Sequence, residues 1–207
     1  MINQFRSMLK MLEEHPDINV VVCNVNPPAT IEELNAAKRY FNLTPAMIDF
    51  YSQANGIQIC WERKSNKKPP RGGLAAGYIN LLPVEEVFSD WKDIIYFSEA
   101  DPQKPLHPLD FFIEEACAAF YLDGSDNPKV YYHYCGEEMS SLGVDFEGYL
   151  KLLLKSRGFW YWHTAIAQPQ YVNPYVPISV EESNFREIMP QLFPDFDASD
   201  FQRLNNE

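Results

Sequence analysis

Thr30 to Trp61 reads T-I-E-E-L-N-A-A-K-R-Y-F-N-L-T-P-A-M-I-D-F-Y-S-Q-A-N-G-I-Q-I-C-W, and this stretch decides the fold. Thr30 and Glu33 have the spacing of a capping box, in which each side chain takes a backbone N–H that the first helical turn leaves free. Leu34, Ala37 and Phe41 then mark one helical face, with the stem of Lys38 at its edge. Thr44 starts a second helix with Pro45 at its first position, where the missing N–H costs nothing. Met47, Phe50, Tyr51 and Ala54 form its apolar side, and Gly56 supplies a left-handed stop. Ile57, Ile59 and Trp61 alternate with Gln58, Cys60 and Glu62, the period of a half-buried strand.

Working outward, Ile2, Phe5, Met8, Leu9 and Leu12 recur at helical spacing and predict a helix over 3–14, ended by His15-Pro16. Ile18 to Val25 is a β-branched strand. Residues 63–73 form a basic loop, followed by a strand at 74–82, a short helix at 84–90 started by Pro83, and a strand at 94–97. Further strands fall at 111–113, 118–123 and 129–135, the last two joined by the turn residues Asp123-Gly-Ser-Asp-Asn-Pro. Phe146, Tyr149, Leu150, Leu153 and Leu154 predict a helix ending near Gly158. Beyond it, Trp160, Trp162, Tyr171, Tyr175 and several prolines indicate a chain draped over the domain, Ser179 with Glu182 caps one more helix, and the tail after Pro194 is expected to fray. The divisions expected are an N-terminal extension (1–28), an α+β domain (29–160) and a C-terminal extension (161–207).

Composition narrows the function classes. With 46% hydrophobic and 14% aromatic residues, the 207-residue chain can bury a sizeable core. Its formal net charge of −12 argues against nucleic acid and suits a basic protein partner. No run reaches the ~20 apolar residues of a membrane span, and the first residues do not resemble a signal peptide. Cys23, Cys60, Cys117 and Cys135 are dispersed and read as small hydrophobes rather than disulfides or zinc ligands, and the four histidines are equally scattered. No cofactor or metal is expected, and the compartment expected is the reducing cytoplasm.

Tests for catalysis fail one by one. Gly72 and Gly77 have the spacing of a phosphate loop, but Tyr78 and Ile79 replace its Lys and hydroxyl residue. His133 and Cys135 share a face of a strand crowded by Tyr131, Tyr132 and Tyr134, and are read as packing. Glu85-Glu86, Glu114-Glu115 and Glu137-Glu138 are adjacent pairs whose side chains diverge, whereas a general acid and base must converge. A charge asymmetry survives. From Glu85 to Glu147 fifteen carboxylates face only Lys92, Lys104 and Lys129. Within it Glu85, Glu86, Asp90 and Asp93, with Trp91 as an aromatic anchor, are the candidate partner-binding residues.

The ordered set from Thr30 to about Gly158 resembles the SUKH superfamily, which includes cell-wall-synthesis regulators of the SMI/KNR type and bacterial immunity proteins. The carriers are Thr30-Ile-Glu-Glu-Leu34, the Pro45 helix before Asn55-Gly56, Gly77-Tyr-Ile-Asn-Leu-Leu-Pro83, Val130-Tyr131-Tyr132 and Phe146-Glu-Gly-Tyr-Leu150. The chain departs from the pattern at Thr44, where members place a Leu, and at Ile57-Gln58. The resemblance implies an α+β fold with a mostly antiparallel central sheet and helices packed on it. It implies a non-enzymatic protein that binds and neutralises a cognate toxin, often a nuclease, with a regulatory scaffold recruiting cellular enzymes as the alternative. The family has no agreed catalytic residues to carry over.

Overall fold

The computed structural model describes residues 1–64, 75–168 and 179–203. Most of the basic loop, Gly72 and Gly73, Tyr171, Tyr175 and three of the late prolines therefore lie outside the described residues.

The fold is α+β. Seven strands form one antiparallel sheet in chain order: β1 (Ile18–Val25), β2 (Ile57–Arg63), β3 (Ala76–Leu81), β4 (Leu106–Ile113), β5 (Ala116–Tyr121), β6 (Val130–Tyr134) and β7 (Ser140–Ser141). The helices are α1 (Ile2–Glu14), α2 (Ile31–Ala37), α3 (Pro45–Tyr51), α4 (Val84–Val87), α5 (Phe146–Ser156) and α6 (Val180–Leu192). Ile2, Phe5, Met8 and Leu12 turn one stripe of α1 into a single apolar core that extends to Phe201. Ile57, Ile59 and Trp61 of β2 enter the same core, while Gln58 and Cys60 are half exposed. Both α1 and β1 thus belong to the main core and sheet.

The local start signals act as their chemistry demands. Thr30 Oγ1 accepts from the Glu33 amide at 3.2 Å, and Glu33 Oε2 accepts from the Thr30 amide at 2.6 Å. Thr44 caps α3 ahead of Pro45, Asp145 caps α5 and Ser179 caps α6. Helix α5 ends in a left-handed turn, Arg157 at φ 54° and Gly158 at φ 66°, with the Gly158 and Arg157 amides bonded to the Leu153 and Leu154 carbonyls.

Several expectations are corrected. Helix α3 stops at Tyr51, well before Gly56. Gly56 instead serves a close approach, since a Cβ there would stand 2.9 Å from the Leu81 carbonyl oxygen at φ 103°. Residues 94–97 are a turn held by one bridge between Lys92 and Tyr96, not a strand. The paired glutamates Glu114-Glu115 form the β4–β5 hairpin turn, and β4 begins earlier than expected, at Leu106. All four cysteines are free thiols, but only Cys117 is buried as a small hydrophobe would be; Cys23 and Cys135 are exposed and Cys60 is intermediate. Within its described part the tail is anchored: Phe201 is buried against Trp162, Phe185 and Phe196, and Arg203 pairs with the buried Glu182.

Candidate partner-binding face

Asn55 fixes the start of this face. Its side-chain Oδ1 accepts from the Val84 amide at 2.8 Å, capping α4, and its Nδ2 donates to Glu85 Oε2 at 2.9 Å. Asn26 Nδ2 in turn donates to the Asn55 carbonyl at 2.8 Å. The Asn-Gly pair before β2 therefore places a helix 29 residues away.

Beyond α4 the chain folds into a latch. Asp90 Oδ1 accepts from the Tyr96 hydroxyl at 2.6 Å and from the Lys92 amide at 3.1 Å. Asp93 takes φ 64°, which lets its amide reach the Tyr96 carbonyl at 2.8 Å. Trp91 is neither core nor fully exposed: its indole stacks on Phe111 at 5.8 Å and donates to the Val87 carbonyl at 3.2 Å. Ile95 points the other way, into a small cluster with Leu106, Cys117 and Ala119 on the second face of the sheet.

The latch leaves apolar groups in water among charges. Ile94 is 56%, Phe97 65% and nearby Tyr40 67% exposed. Around them Glu85, Glu86, Asp90, Asp93 and Glu99 are exposed and Asp101 is half exposed. The Tyr96 hydroxyl, and then the Lys92 amide, hold Asp90 below the usual carboxylate range, while Asp90 pushes Tyr96 up to about 12. Lys104 lowers Glu99, and the Gln103 and Phe97 amides lower Asp101. These carboxylates stay charged at neutral pH. Lys104 is the local counter-charge, paired with Glu99 and lying 5.9 Å over the Tyr96 ring. A cavity of about 220 Å³ opens beside Tyr40, Trp91, Tyr96 and Lys104.

Of the five residues expected from the sequence, Glu85 and Glu86 lie on α4, and Asp90, Trp91 and Asp93 lie in the latch that follows it. Ile94, Phe97, Tyr40, Glu99 and Asp101 were missed; the first two were assigned to a strand. The fifteen carboxylates do not all gather there. Asp110 is buried, Asp145 caps α5, Glu147 pairs with Lys151 and Asp123 binds its own turn.

A second cluster went unseen in the sequence. Asp110 on β4, Tyr149 on α5 and His163 in the 3₁₀ turn Trp162–Ala165 are all buried. The Asn80 amide donates to Asp110 Oδ1 at 2.8 Å, and the Tyr149 hydroxyl donates to Oδ2 at 2.8 Å. Tyr149 lies 2.9 Å from His163 Nε2, and its single proton is spent on Asp110, so His163 must donate through Nε2. Its Nδ1 has no hydrogen-bond partner. Burial pushes Asp110 up to about 6 and His163 down to about 3. None of the cavities of about 430, 380, 310 and 220 Å³ is lined by these three residues. His133 is likewise buried, opposite Cys117, whereas Cys135 lies exposed just past β6, so the two form no pair.

Among the described residues no group of three His, Cys, Asp or Glu side chains could hold a metal ion. No described helix is long and apolar enough to cross a membrane. Comparison with known proteins finds no family model, no curated protein and no solved structure that matches this chain.

Proposed function

We propose that this chain is a non-enzymatic, cytoplasmic protein-binding domain of the immunity type, which neutralises a basic toxin by covering its functional cleft. The observation that carries this reading is the exposure of Ile94 and Phe97 in the same short segment as the exposed carboxylates Glu85, Glu86, Asp90, Asp93 and Glu99, with exposed Tyr40 beside Asp90 and Trp91. Apolar anchors supply affinity when buried, and a charged rim steers encounter and sets specificity. The resemblance of the 30–158 region to SUKH proteins supports the same reading. A nuclease domain, whose cleft must be basic to hold a phosphate backbone, is the fitting partner class. The Asp110–Tyr149–His163 cluster is read as structural, because its hydrogen bonds are spent on one another and on the Asn80 backbone.

The test is co-expression with the product of the neighbouring gene, followed by purification of the complex and a toxicity assay. Protection should fall by at least about tenfold in the variant Phe97→Ala/Glu86→Gln/Asp93→Asn, with a weaker salt dependence of association. Absence of both complex and protection with the unaltered chain would remove the proposal.

A further inference from the structure

A cavity of about 380 Å³ opens between the end of β6, the turn that carries Thr164 and the start of α6. Its walls include Tyr132, Tyr134, Tyr161, Thr164, Glu137 and Glu181. Tyr132 and Tyr134 are two apart on β6 and so share one side of the sheet. Tyr131, between them, points the other way and packs against the cluster of Ile95, Leu106, Cys117 and Ala119. The cavity therefore opens on the side of β6 away from Ile95, and Gln103 Nε2 reaches the carbonyl of its Glu137 at 3.4 Å. Tyr161 is held at φ 57°, and its hydroxyl donates to Glu115 Oε1 at 3.0 Å.

The electrostatics are one-sided. No Lys or Arg lines the cavity among the described residues. Arg203, which donates to the Thr164 carbonyl at 2.9 Å, is already paired with Glu182. The positive end of α6 is met by its own first-turn carboxylates and the Ser179 cap. Burial raises the hydroxyls of both Tyr132 and Tyr161 above the usual phenol range; Tyr161, then Glu137, Tyr134 and Glu181, raise Tyr132 further, and the hydrogen bond and charge of Glu115, then Tyr134 and Glu181, raise Tyr161. Glu137 and Glu181 are both exposed and hydrated, so they favour a cation over an anion here without requiring one.

We propose that this cavity is a binding site for a single organic cation, a guanidinium or alkylammonium group on an aliphatic stem. The stem lies against the rings of Tyr132 and Tyr134, whose π faces attract the charge, and Glu137 and Glu181 supply the counter-charge. The volume is within the range of small-ligand sites and accommodates one arginine or lysine side chain. The proposal does not rest on the function assigned to the acidic latch, whose cavity shares no lining residue with this one.

The experiment titrates the full-length chain with Nα-acetylarginine methylamide and with its uncharged isostere, Nα-acetylcitrulline methylamide, by calorimetry and by aromatic-region NMR. The arginine compound should bind at least about tenfold tighter, a difference of about 1.4 kcal/mol. Glu137→Gln/Glu181→Gln should lose about tenfold in affinity with its melting temperature unchanged, and Tyr134→Leu about fivefold. The latch variant Phe97→Ala/Glu86→Gln/Asp93→Asn should bind the probe like the unaltered chain, which separates failure here from failure of the proposed function. A Gly-Arg-Gly peptide in parallel identifies the source: tighter binding than the free derivative points to a partner protein's side chain, weaker binding to a free small molecule, and either ordering supports the site. Equal binding of the citrulline compound, or undiminished binding by the double glutamine variant, overturns it.

Discussion

The indole of Trp61 occupies the space a side chain at Gly77 would need. The two residues face each other across β2 and β3, and a Cβ on Gly77 would fall 2.2 Å from Trp61 Nε1. Trp61 cannot withdraw, being fully buried, with Nε1 donating to the Arg157 carbonyl at 2.7 Å. Gly77→Ala should therefore cost about 3 kcal/mol by overpacking. Urea unfolding measures it, and a loss below about 1 kcal/mol would mean that the indole has room to move.

Asp110 makes stability depend on pH in a definite direction. Its folded value is about 6 against an ordinary 3.8, so its contribution is full below about pH 4 and lost as pH rises through 6. His163, pushed down to about 3, contributes in the opposite sense: its share is present above about pH 6.5 and lost on acidification. Asp110→Asn removes only the first. The variant should gain on the unaltered chain by about 2 kcal/mol between pH 4 and pH 7. Denaturation curves at both pH values test this, and a difference that stays constant with pH would refute it.

The latch has a local titration signature. Tyr96→Phe removes the hydroxyl that contributes most to lowering Asp90. Asp90 should then titrate closer to an ordinary aspartate, with Asp101, whose partners are backbone amides, unchanged. Carboxyl-carbon NMR titration reads both groups in one sample, and an unmoved Asp90 would dismiss the hydroxyl as the cause.

The C-terminal tail belongs to the core. Phe201 is fully buried, 4.9 Å ring to ring from Phe185, so Phe201→Ala should cost about 4 kcal/mol. A truly loose tail would show no shift in the unfolding midpoint.

What was legible in the sequence is what local chemistry decides. Capping residues, Pro45, and the alternation at Ile57–Trp61 each act within a turn or a strand, and the α+β class follows from them. Where distant partners decide, local reading failed. Ile94 to Phe97 carries the β-branched and aromatic residues of a strand, but Asp90 captures the Tyr96 hydroxyl and Asp93 turns left-handed, so the segment closes on itself. Gly56 looks like a helix stop, yet its need for a missing side chain comes from the Leu81 carbonyl across the sheet. At the acidic face, the charges were visible and the exposed Ile94 and Phe97 were not, because exposure follows from the latch. Asp110, Tyr149 and His163 lie 39 and 14 residues apart and meet only through β4, α5 and the 3₁₀ turn. An aspartate within Leu109-Asp110-Phe111-Phe112 was the one available hint.

The seven strands lie side by side in the order in which they are synthesised, so a growing chain can extend its sheet by one neighbour at a time as it leaves the ribosome. The bond from the His15 ring to the Leu192 carbonyl, 2.7 Å long and spanning 177 residues, is of another kind. It joins the end of α1 to the end of α6 and can form only once residue 192 has been made. Until then the end of the first helix lacks this tie, however early its apolar stripe has met β1 and α5.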